Sequence, residues 1–208
     1  MLNIKNIQQT VKVATTVAAL MCFSSLAQAY QYEQTARLIN ERLSYMKDVA
    51  GYKAEQHLPI EDLTQEKKVL DQSLSEADSF GLNSETVKPF IVAQMDVAKA
   101  IQYRYRADWL SSPETNWKPQ DLSEVRVKIS ALNTELLKNI AYELKKNNNK
   151  APHGCSYMWP VQHPQLKEAD KRALCVTLNK SKLKQLTTQS RSYKQIIQST
   201  LNRQYWQI

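Results

Sequence analysis

The sequence predicts a single all-α domain, a helical bundle of about six helices, on three observations. Its 208 residues hold only three glycines, Gly51, Gly81 and Gly154, so turns are few. No run of alternating β-branched residues stands between turn signals. Apolar residues instead recur at helical spacing over long segments.

Residues 1–29 carry Lys5 and Lys12, no acids, an apolar run from Val13 to Leu26, and then Ala27-Gln28-Ala29. That order reads as a signal peptide cleaved after Ala29. The run is too short, and too interrupted by Thr and Ser, to span a membrane. Met21 directly before Cys22 fits a lipoprotein cleavage site poorly, so Cys22 is expected to leave with the leader. Residues 30–208 then form one exported domain, periplasmic or secreted, with no membrane partner. Its size is sufficient for a real core. Losing Lys5 and Lys12 lowers the net charge from +8 to +6, spread along the chain without a basic stripe. Nucleic-acid binding is therefore not expected, whereas an anionic small molecule suits the charge.

The first helix is expected over about 32–56, ending before Pro59, with Ile39, Leu43, Met46, Val49 and Ala50 on or beside its inner face. A second opens at Asp62, where Asp62 and Gln65 have capping-box spacing, and closes near Gly81. Asn83 or Ser84 caps a third, running to about Trp109 with Phe90, Ile91, Val97, Ile101 and Tyr105 inward. The segment from Pro113 to Pro119 is a linker loop. Asp121 and Glu124 form a second candidate capping box, ahead of the stripe Leu122, Val125, Ile129, Leu132, Leu136 and Ile140, which stops at Asn147-Asn148-Asn149. Residues 150–163 read as an ordered loop. Helices over about 164–178 and 181–206 complete the C-terminal part, behind an active-site part over about 32–130.

Two cysteines remain after the leader, and an even count in an exported chain implies one disulfide, Cys155 to Cys175. His57, His153 and His163 form no recognisable metal-ligand set, so no metal is expected. There is no nucleophile elbow, no H-E-x-x-H, no phosphate-binding glycine loop and no Ser or Cys with a credible base. An enzyme of this kind would work by holding its substrate, without a cofactor.

Arg42 and Lys53 lie eleven residues apart, which returns a helix to within about 20° of the same direction. Two long cations on one face, about 16 Å apart along the axis, can clamp a small dianion. The same spacing also describes an amphipathic helix with two basic residues snorkelling from the edge of its stripe.

Arg42, ten residues, Lys53, then Leu58-Pro59-Ile60-Glu61-Asp62 and Glu66 together resemble the type II all-helical chorismate mutases. Export, Asp108-Trp109 after the third helix, Asp121-Leu122-Ser123 leading to Arg126, and the C-terminal cysteine pair are similar to the secreted gamma subclass. Motifs carry the resemblance from Arg37 to about Arg126, and helix pattern and cysteines carry it beyond.

The resemblance implies a Claisen rearrangement of chorismate to prephenate, with roles assigned by position. Arg42 and Arg126 would bind the substrate carboxylates, and Lys53 would reach a carboxylate and the ether oxygen. Glu66 and the Asp62 backbone would hold the ring hydroxyl. Gln102 would be the second donor to the ether oxygen, one turn after Ala98, which replaces a hydroxyl residue of some relatives. Arg126 would let one chain complete its own site, and the sequence is compatible with a homodimer. Gln65 departs from the family, which usually has an arginine there, and the departure implies weak substrate affinity. Two other readings stay open: a relative that binds a small aromatic dicarboxylate without turning it over, and an exported helical interaction module with no pocket where the cations meet.

Overall fold

A computed structural model describes residues 32–185, so the leader over 1–29 and the greater part of the helix expected to 206 lie outside the described residues. Among the described residues six α-helices form the body: α1 Glu33–Ser44, α2 Met46–Glu55, α3 Leu63–Ser79, α4 Ser84–Ser111, α5 Leu122–Lys146 and α6 Glu168–Leu178. A 3-10 turn, Ser156–Met158, sits between α5 and α6. The long α4 is central, packing on α2, α3 and α6, while α5 packs on α1, α2 and α3. Phe90, Ile91, Ile101, Leu136, Leu137 and Ile140 are almost wholly removed from solvent between them.

The helix expected over 32–56 is two helices with Tyr45 between them, at φ −77° and ψ −7°. Ser44 stands at the break, its hydroxyl donating to the Glu41 carbonyl at 2.7 Å, a local bond of the kind that bends helices. Asp62 caps α3 as expected, accepting from the Gln65 N–H at 3.0 Å. The reciprocal bond comes from Glu66, not Gln65: Glu66 Oε1 accepts from the Asp62 N–H at 3.2 Å. Gly81, at φ +86°, takes the left-handed turn that closes α3, and Leu82 N–H returns to the Ala77 carbonyl at 2.9 Å.

Asn83 caps α4 through the Thr86 N–H. Asp121 caps α5 through the Ser123 N–H, without a return bond from Glu124. Asn148 and Asn149, at φ 52° and 62°, then turn the chain at its far end. Asp48 on α2 fixes the loop before α5, accepting from the Gln120 backbone N–H at 3.0 Å and its side-chain amide at 2.9 Å. Nearby, Gly51 admits the Trp117 ring, two of whose carbons would lie 2.6 Å from an added Cβ. Trp117 in turn meets Trp109, which stacks on Tyr105.

Two C-terminal expectations are corrected. Helix α6 starts at Glu168, not near residue 164, because Asp170 accepts from the Lys167 N–H and sets the helix start there. Residues 181–185 are not helical. Leu183 bridges to Leu82, and the N–H groups of Lys182, Leu183 and Lys184 go to Thr86 Oγ1, Asn149 Oδ1 and the Gly81 carbonyl, which hold the segment extended against its neighbours.

The disulfide joins Cys155 and Cys175 across a sequence separation of 20, tying the 150–163 loop to α6. Tyr157, Met158 and Val161 of that loop are buried, so the bond fastens a packed segment. Replacing both cysteines by serine is expected to lower unfolding free energy by about 3 kcal/mol, read from the denaturant midpoint. An unchanged midpoint would mean that packing alone holds the loop.

Candidate active site

The helix break at Tyr45 leaves Arg42 and Lys53 directed into one pocket, bounded by α1, α2, the start of α3, the middle of α4 and the start of α5. Every residue expected in the site lines it: Arg42, Lys53, Asp62, Gln65, Glu66, Ala98, Gln102 and Arg126. Met46, Val49, Val69, Leu122 and Ile129 supply apolar wall between them. The cations converge, contrary to what a surface interaction module requires.

Arg42 is only 5% exposed. Its Nη1 donates to the Gln94 carbonyl at a long 3.4 Å, and its Nε has no hydrogen-bond partner among the described residues. Burial alone pushes the guanidinium down to about 10. No carboxylate of the described residues stands at ion-pair distance from it. This is a dry, charged donor with most of its hydrogen-bonding capacity uncommitted.

Lys53 is 7% exposed, and its Nζ donates to the Ile60 carbonyl at 2.5 Å. The stretch Leu58-Pro59-Ile60 thus curls back to steady the lysine that precedes it. Burial lowers the Lys53 pKa below the usual lysine range, with Arg126 acting in the same direction and Asp62 and Glu66 against it. Gln102 is also buried, donating to the Ala98 carbonyl at 3.1 Å and toward Met46 Sδ at 3.7 Å. Its amide N–H on the sulfur has a weak acceptor, and its Oε1 accepts from no donor among the described residues.

Arg126 is different. It lies at the mouth, its side chain 41% exposed, with Nη2 at 3.4 Å from Asp62 Oδ2. Asp48 and the Asp121 cap fix the start of α5 and so the place of Arg126 one turn on. Gln65 lines the pocket as a neutral amide.

Sequence reasoning missed Lys99, which lines the pocket and donates to Glu66 Oε2 at 2.9 Å. Its position one residue after Ala98, on a helix with inward neighbours, was the available signal. It also missed Met46 as pocket wall and the Ile60 carbonyl as the lysine's anchor.

The arrangement is a half-dry pocket with cations at its base, a neutral amide donor and no nucleophile. A model of the family described as chorismate mutase type II matches residues 33–103. A secreted chorismate mutase of Yersinia pestis is 51% identical over 178 residues, covering 83% of this chain and 94% of that protein. The chain belongs to the type II chorismate mutase family. A monofunctional chorismate mutase of Enterobacter agglomerans is 45% identical over 142 residues, covering 68% of this chain and 78% of the relative. The crystal structure of the Yersinia pestis protein matches with a TM-score of 0.68 at 54% identity, over 73% of this chain and 98% of that one. A Burkholderia thailandensis chorismate mutase matches in fold, with a TM-score of 0.59 at 21% identity over 72% and 98% of the two chains. The all-helical architecture is thus that of chorismate mutases.

A buried cation without a counter-ion costs the fold stability. Because the Arg42 pKa is lowered, that cost is present at every pH below about 10 and fades only above it. Arg42→Met is therefore expected to raise unfolding free energy at neutral pH, by about 1–3 kcal/mol, while removing the clamp. A lowered denaturant midpoint would show that the Gln94 bond outweighs desolvation.

Proposed function

We propose that this chain is an exported chorismate mutase, and that Arg42, Lys53, Gln102 and Arg126 carry its chemistry. The observation that supports the reading best is the convergence of Arg42 and Lys53, both nearly dry, on one pocket with an uncharged donor. Export rests on the composition of residues 1–29 and on the likeness to a relative described as secreted.

The reaction converts chorismate to prephenate within one molecule. As the ether C–O bond breaks, a new C–C bond forms, and no atom enters or leaves. The catalyst has two tasks, to hold a flexible dicarboxylate in its compact conformer and to stabilise negative charge growing on the ether oxygen. Arg42, at the base, takes one carboxylate with its uncommitted N–H groups. Arg126, at the rim, exchanges the Asp62 carboxylate for the other. Lys53 keeps the Ile60 carbonyl and directs its remaining N–H groups to a carboxylate and the ether oxygen. Gln102 turns the N–H now spent on Met46 sulfur toward that same oxygen. Glu66 and the Asp62 backbone receive the ring hydroxyl.

Arg42 and Lys53 are held before substrate arrives, so little reorganisation of these two donors opposes the transition state. Apolar wall from Met46, Val49 and Leu122 strengthens the electrostatics by excluding water.

The purified protein is expected to consume chorismate, followed by loss of its absorbance, and to form prephenate at neutral pH. Arg42→Ala and Lys53→Ala should each lose about 100-fold or more in kcat/KM. No conversion by folded, oxidised protein, with retained binding of a dicarboxylate analogue, would favour a non-catalytic binder.

A glutamine amide donates at any pH, so kcat/KM should hold between about pH 6 and 8. Gln102→Glu should make activity acid-dependent, since a carboxyl donates only when protonated. A wild-type profile that collapses across that range would argue against Gln102 as the donor. Gln65→Arg should lower KM by about tenfold or more, as one charged hydrogen bond to a carboxylate is restored. An unchanged KM would place the Gln65 side chain away from the carboxylate.

A further inference from the structure

We propose that Lys99 is a positioning residue for Glu66, holding its carboxylate for the ring hydroxyl of the substrate. This rests on the chorismate mutase reading above.

Glu66 is held at both oxygens by two separate elements. Its Oε1 accepts from the Asp62 backbone N–H at 3.2 Å, and its Oε2 accepts from Lys99 Nζ at 2.9 Å. Lys99 stands on α4 and is steadied there by Asp96 Oδ1 at 3.3 Å. The Lys99 and Glu66 side chains are 23% and 22% exposed, against 75% and 61% for the solvated Lys67–Asp71 pair. A partly buried pair of this geometry fixes its carboxylate far better than a surface one. Each oxygen of Glu66 keeps a second lone pair, so the held carboxylate can still accept a hydroxyl hydrogen.

The bond to Glu66 also raises the Lys99 pKa, so the ammonium stays charged over the working pH range.

The test compares Lys99→Met with wild type on chorismate and on the analogue that lacks the ring hydroxyl. With chorismate, KM should rise about tenfold or more with little change in kcat, since the hydroxyl contact is made in ground and transition states alike. With the analogue, wild type and variant should agree within about twofold. Lys99→Arg should recover most of the loss, and adding Lys99→Met to Glu66→Gln should change little, because both act on one contact. If Lys99→Met does not fold, judged by circular dichroism, Lys99→Gln carries the same comparison. An equal loss on both substrates, or additive losses with Glu66→Gln, would overturn the proposal and make Lys99 a direct ligand of a carboxylate. Wild type that leaves chorismate unchanged would remove the functional reading, and this one with it.

Discussion

Two cations held nearly dry are the constraint around which this structure is arranged. A buried guanidinium or ammonium is costly, and the cost is tolerable only where the surroundings supply dipoles and keep the geometry fixed. For Lys53 the dipole is the Ile60 carbonyl, supplied by the chain break that follows its own helix. For Arg42 it is the Gln94 carbonyl on α4, at a longer 3.4 Å. Neither arrangement satisfies the cation fully. Both leave donor capacity toward the pocket, and the surrounding core, not a counter-ion, keeps these side chains in place. The stability lost at Arg42 is thus linked to the binding energy available to an anion.

The rest of the fold serves this placement. Asp48 holds the loop before α5, Asp121 caps that helix, and Arg126 is thereby set at the rim. Gly51 lets Trp117 lie against α2 and close the same corner. The disulfide acts at a distance, fastening the loop that covers α1 beside the far end of α6. Arg104 on α4 reaches both Asp170 and the Gln165 carbonyl, so the central helix is fixed from the C-terminal side as well.

Much of the fold and site was legible because it depends on short-range rules. The Asp62 and Asn83 caps, the Gly81 stop and the α5 stripe follow from local preferences, and the structure realises them. The spacing of Arg42 and Lys53 survived the break at Tyr45 because the chain stays right-handed there and loses little angular register. What periodicity could not reveal depends on contacts between distant elements. Lys99 meets Glu66 across 33 positions, and Lys182 meets Thr86 across 96. A stretch read as the start of a helix at 181 instead gives its N–H groups to α4 and the Asn turn. Tertiary hydrogen bonds override propensity where a segment has partners elsewhere.

The distribution of ion pairs across the pocket bears on how a dianion would enter. At the rim, Arg126 and Asp62 form a long, exposed pair, and pairs of that kind contribute about 0–1 kcal/mol. Exchanging Asp62 for a substrate carboxylate there costs little and gains little. At the base Arg42 has no carboxylate to exchange among the described residues, and a charged hydrogen bond formed in dry surroundings contributes about 1.5–3 kcal/mol. Affinity is therefore concentrated where water is scarcest, and the rim selects orientation more than it adds strength. A substrate engaged only at Arg126 remains free to leave, whereas one that reaches Arg42 and Lys53 meets the donors that also stabilise the breaking bond. Binding in depth and catalysis thus depend on the same two side chains.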